Sequence, residues 1–143
     1  MSKIVDTQKV RMLLREIVAQ ANWVIGELST LQKEGSDEGR APSIQAMYEK
    51  VLLTAMYDGR TEVDGLEDHL TDPASGDPAA PAQLLLNWLL EDTLPLVELG
   101  RDAAEADDSL LGLLLITGSG EIAMRVTAIR DELAPLLGDS QPG

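Results

Sequence analysis

The sequence predicts an all-α fold, an antiparallel four-helix bundle whose third and fourth helices are broken or kinked, on three observations. Val10, Leu14, Ile17, Ala21, Val24, Leu28 and Leu31 alternate spacings of four and three, which lines one face of a helix with a bundle-type seam. Ile122, Val126, Ile129, Leu133 and Leu136 repeat that spacing near the other end of the chain. Between them no stretch shows the alternation of a half-buried strand. Residues 1–143 therefore read as a single helical domain with no internal repeat.

The first helix is expected over 7–34, with Asp6 or Thr7 as its cap and Gly35 as its stop. Val18 and Ile25 widen its apolar stripe to one side. The turn-rich stretch 35–42 follows, and Ser43 is placed to cap a second helix over 43–58. Its apolar set is Ile44, Met47, Val51, Leu52, Ala55 and Met56, and Gly59 ends it. The first two helices should form an antiparallel hairpin. Residues 59–80 are interrupted by Gly59, Gly65, Gly76, Pro73 and Pro78 and read as an acidic structured loop, although 62–70 has room for a short helix. Pro81 suits the first turn of a third helix over 82–106, in which Trp88 falls in the core and Pro95 forces a kink or a restart capped by Thr93. Ser109 caps a fourth helical region over 109–137, broken at Gly118-Ser119-Gly120, and 138–143 is a tail.

Composition narrows the function classes. The chain has 44% apolar and 25% charged residues, which is globular composition, and a formal charge of −14 from 11 basic and 25 acidic side chains. The absence of cysteine removes thiol catalysis, disulfides and thiolate-bound metals. Strong negative charge and only four aromatics, two Trp and two Tyr, argue against direct nucleic-acid binding. Met1 to Asp6 lacks the apolar core of a secretory signal, and the longest apolar run, 110–116, falls far short of the roughly 20 residues of a membrane span. A cytoplasmic protein without a membrane segment is expected.

The charge is uneven. Residues 1–57 balance seven acids against seven bases, whereas 58–108 hold fourteen acids against Arg60 and Arg101 and carry −12 of the −14. A localised field of this kind attracts a localised partner. If the third helix continues through Pro95, Glu91, Glu98, Asp102 and Glu105 share one face opposite Leu85, Leu89, Leu96 and Ala103, and Asp108 follows at its end. Trp23 lies opposite the seam of the first helix, where an exposed indole would serve contact with a partner or with a second copy of the chain.

The chemical motifs are poor by comparison. Gly118-Ser119-Gly120-Glu121-Ile122-Ala123 matches a dinucleotide fingerprint but lacks the strand before it and the returning strand after it. The carboxylates of 58–72 miss the register of a calcium loop, with Arg60 on the first ligand position and Thr71 on the last. His69, the only histidine, has Leu66 three residues before it, so no di-iron Glu-x-x-His pair exists, and it reads as a partly exposed loop residue. No cofactor is expected. The leading expectation is a small acidic helical binding module of the inhibitor, immunity, chaperone or adaptor type, which recognises a basic protein surface and in one form mimics a nucleic acid. Its binding residues are Glu91, Glu98, Asp102, Glu105, Asp108 and Trp23, and a homodimer through the Trp23 face is a further use of that indole. The alternative is a metal-dependent phosphate-ester or nucleotide hydrolase built on Asp64, Glu67, Asp102 and Glu105.

Overall fold

Asp6 starts the first helix, its Oδ1 accepting hydrogen bonds from the amides of Gln8 and Lys9, and α1 then runs Thr7–Lys33. Gly35 takes a φ of 74°, the left-handed conformation that closes a helix at little cost without a Cβ. The computed structural model describes residues 5–35, 41–72, 74, 76–106 and 109–138. Among them the protein is all-α, with no strand.

The second helix, α2 (Ala41–Leu53), begins with Pro42 in its first turn, so Ser43 lies inside the helix rather than at the cap position expected for it. It passes through one π turn, Thr54–Asp58, directly into α3 (Gly59–Thr71). The predicted stop at Gly59 and most of the predicted acidic loop are thus helical. The reason is tertiary: Gly59 has an ordinary helical φ of −61°, and a Cβ there would meet Leu14 of α1 at 3.2 Å, so the glycine serves close packing. Val63 and Leu66 then bury one side of α3. His69 sits in its last turn, half-buried, with Nδ1 3.2 Å from the carbonyl oxygen of Asp77.

Asp77 accepts from the amide of Ala79 at 2.9 Å and starts α4 (Ala79–Ala106), which continues through Pro95. The missing proline amide would have bonded the carbonyl of Glu91; both residues are exposed, so water can take that carbonyl and the helix survives. Thr93, expected to cap a restart, is instead buried within the helix. The final helix, α5 (Leu110–Gly138), is capped by Ser109 Oγ on the amide of Gly112 at 3.1 Å and runs without a break through 118–120. Small residues there permit close approach. A Cβ on Gly118 would lie 2.5 Å from Val24 Cγ2 of α1 and 3.2 Å from Tyr48 Oη of α2, and Ser119 packs on Gly100 of α4.

The core joins all these helices through Val10, Ile17, Leu28, Tyr48, Val51, Leu66, Leu85, Leu96, Leu115, Ile122 and Ile129. Tyr48 is fully buried there, whereas Trp88, expected in the core, is half-buried and Met56, expected in the apolar set of the second helix, is exposed. The backbone amide of Asp6, just before α1, donates to Glu132 Oε2 at 2.9 Å, Lys9 Nζ of α1 lies 3.5 Å from Glu132 Oε1, and Glu16 pairs with Arg125 at 2.9 Å. Because α5 is unbroken, Leu110–Leu137 is long and apolar enough to cross a membrane by length and composition, contrary to the reading of 110–116 alone. In this fold, 44% of its most apolar stretch is buried among the other helices.

Candidate functional site

Continuity of α4 through Pro95 decides how its carboxylates are displayed. Glu91, Glu98, Asp102 and Glu105 are all exposed, and Leu85, Leu89, Leu96 and Ala103 on the opposite side are buried. The face is not purely acidic. Leu94, 59% exposed, stands between Glu91 and Glu98 at spacings of three and four, with Leu90 beside it. Asp108 lies outside the described residues.

Asp92 departs from the expected acidic surface. It is buried on the inner side of α4, where its Oδ2 accepts from Thr54 Oγ1 at 2.5 Å and Lys50 Nζ lies 3.5 Å from Oδ1. A buried carboxylate needs such partners, and the first residue of the π turn supplies the nearest one.

Trp23 is 43% exposed, on the side of α1 away from its seam. It forms one wall of a groove of about 320 Å³, whose other wall is the beginning of α5, with Leu110 and Leu113 mostly exposed. Glu27 of α1 and Glu34 just after it also line it. No family model, curated protein or solved structure matches the chain. Only the chain between Glu105 and Leu110 separates the end of the acidic face from the groove, which at full extension is about 18 Å. Acidic face and apolar groove thus flank the same end of α5.

The hydrolase carboxylates do not converge. A Cβ on Gly65 of α3 would lie 3.9 Å from Pro81 Cβ, so α3 packs by the start of α4, whereas Asp102 lies 21 residues beyond Pro81, about 31 Å away at the helical rise. Asp64 and Glu67 are engaged by Arg11 of α1, which donates to Asp64 and, at 2.6 Å, to Glu67. Thr7 Oγ1 also donates to Glu67 at 2.8 Å. These bonds, Arg11 first, hold the Glu67 carboxyl below the ordinary carboxylate range, while Glu67 and then Asp64 push the Arg11 guanidinium upward. Among the described residues, no group of three or more His, Asp or Glu side chains is placed to hold a metal ion.

Sequence reasoning identified Trp23 and the α4 carboxylates one helix at a time. It missed Leu110, Leu113 and Leu94. A search for exposed leucine beside clustered acids would have found Leu94, but the partnership of Trp23 with residues 87 or more positions away has no local signal.

Proposed function

We propose that the protein is a single-domain, cytoplasmic, acidic binding module of the inhibitor, immunity, chaperone or adaptor type, whose partner is a protein with a basic and apolar recognition segment. The observation that carries this reading is the pairing of an exposed indole groove with an acidic helix face around one end of α5. Aromatic anchors supply affinity when their surroundings exclude water, and the carboxylates steer a cationic partner toward them. Self-pairing through the Trp23 face would bring together two chains of −14 each, which favours a basic partner over a second copy. For the fold we propose an antiparallel bundle; the descending order in which Lys9 and Glu16 meet Glu132 and Arg125 supports it.

The test captures the partner on immobilised protein and then follows the kinetics of the purified pair against ionic strength. Salt should slow association far more than it speeds dissociation. Changing Glu98, Asp102 and Glu105 together to lysine should weaken binding strongly. The same change at exposed Glu49, Asp68 and Asp131, spread over other helices, should do less at equal net charge. Equal effects of the two triples in folded proteins would make the acidity general solubilisation, and unaltered affinity of Trp23→Ala would remove the groove from the interface. In the mimic form, the partner must release its DNA or RNA on binding this protein.

A further inference from the structure

Among the described residues of this −14 chain, a cleft is lined by cations. It opens between α1 and the junction of the π turn with α3, encloses about 410 Å³, and carries Arg11, Arg15 and Arg60 at its edge over Leu14, Val18 and Met56. Arg11 is engaged by Asp64 and Glu67, but among the described residues Arg15 and Arg60 have no ion pair and no carboxylate lines the cleft. The net charge of the whole chain does not decide what enters. At physiological ionic strength the screening length is about 8 Å, so a bound group responds to the charges beside it. Counting Arg11 with its two carboxylates, the local balance with Arg15 and Arg60 is +1.

Three features build this arrangement. Arg11 and Arg15 are one helical turn apart and share a face of α1. Gly59 lets Leu14 approach the π turn, which brings the start of α3 against α1. The π turn then sets the direction of Arg60: the extra residue in that turn rotates everything after it by about 100° relative to an uninterrupted α-helix. An apolar floor beneath two unpaired guanidiniums suits a molecule with one anionic end and one short apolar body.

We propose that this cleft is a binding site for a small amphipathic anion, a carboxylate or phosphate monoester whose charged end lies between Arg15 and Arg60 and whose apolar part covers Leu14, Val18 and Met56. The site is independent of the protein-binding surface, which involves other residues of α1 together with α4 and α5.

The probes are hexyl phosphate and hexanoate, each compared with hexanol and with inorganic phosphate, titrated into the full chain by calorimetry and by methyl chemical shifts. At least one of the two amphipathic anions should bind saturably near or below about 1 mM and shift Leu14, Val18 and Met56, while hexanol and inorganic phosphate bind at least about tenfold more weakly. The stronger of the two identifies the head group. The Arg15→Gln, Arg60→Gln double variant should lose about tenfold or more in affinity. Lys33→Gln with Arg130→Gln, an equal change in net charge elsewhere, should lose little. Met56→Glu, which places a carboxylate at an exposed position of the cleft, should abolish binding without unfolding the chain. The proposal is overturned if neither amphipathic anion binds, if hexanol or inorganic phosphate binds as well as they do, or if the two double variants behave alike.

Discussion

Replacing Gly118 with alanine sets two opposing effects against each other. In a helix interior alanine is favoured over glycine by about 1 kcal/mol. The new Cβ, however, would stand 2.5 Å from Val24 Cγ2 and 3.2 Å from Tyr48 Oη. Val24 is fully buried and β-branched, so its methyl cannot swing aside by a free χ1 rotation, and overpacking of this kind costs about 1–3 kcal/mol. The net expectation is a loss of about 1 kcal/mol. Gly120, two residues on, and Gly26 in α1 have nothing within 4 Å of a built Cβ, so alanine at either should stabilise by about 0.5–1 kcal/mol. Urea denaturation followed by far-ultraviolet circular dichroism measures all three. Adding Val24→Ala removes the closest obstacle, so the double-mutant cycle should return a favourable coupling above about 0.5 kcal/mol. If Gly118→Ala stabilises as much as Gly120→Ala, α5 does not cross α1 and α2 at Gly118, and the packing argument fails.

Tyr48→Phe should leave stability unchanged or raise it by up to about 2 kcal/mol, because the buried Oη has no hydrogen-bond partner among the described residues and burial already holds its proton in place; a clear loss in thermal unfolding would reveal a partner. Thr54→Val should cost about 1–3 kcal/mol by withdrawing the donor closest to buried Asp92, and a neutral result in chemical denaturation would show that Lys50 alone satisfies the carboxylate. Glu67→Gln should cost about 1 kcal/mol at neutral pH, since Arg11 and Thr7 favour the ionised carboxylate in the folded chain. A folded pKa held below the ordinary 4.5 gives stability that is present above that value and lost as pH falls through the folded pKa, so the gap between wild type and variant should close in acid; a gap independent of pH refutes the linkage.

Helix α1 was readable because its evidence is redundant. Apolar spacing runs over several turns, and Asp6 and Gly35 end it by local chemistry, so the expected span of 7–34 meets Thr7–Lys33. The helix α3 was not readable, because its glycines and acids are poor local evidence and its persistence depends on Leu14 filling the space over Gly59 and on burial of Val63 and Leu66. The same error recurs at Gly118. A glycine that stops a helix and one that lets two helices touch look alike until the partner is known, and among the described residues only Gly35 and Gly76 have positive φ. The acidic face was legible because it needed a single condition, continuity through Pro95. The Trp23 groove and the arginine cleft each join distant segments, which no local spacing encodes.

Acidity alone does not distinguish a soluble surface from a recognition surface, since exposed carboxylates serve both. What separates the two is the apolar area beside them. A solubilising helix surrounds its carboxylates with polar neighbours, whereas α4 places exposed Leu94 between Glu91 and Glu98 and leads toward Leu110, Leu113 and Trp23. Exposed apolar groups grouped in this way lose contact with water only when something covers them. In the function proposed above, the carboxylates around them would select a cationic cover and resist a second copy of the same chain. The cleft at Arg15 and Arg60 applies the same reasoning with the opposite sign: apolar side chains define a place, and the charges at its edge define what enters. Along α1, Arg15 and Glu27 are separated by about 18 Å of helix, beyond the reach of screened charge, so one small acidic protein can present both surfaces without either cancelling the other.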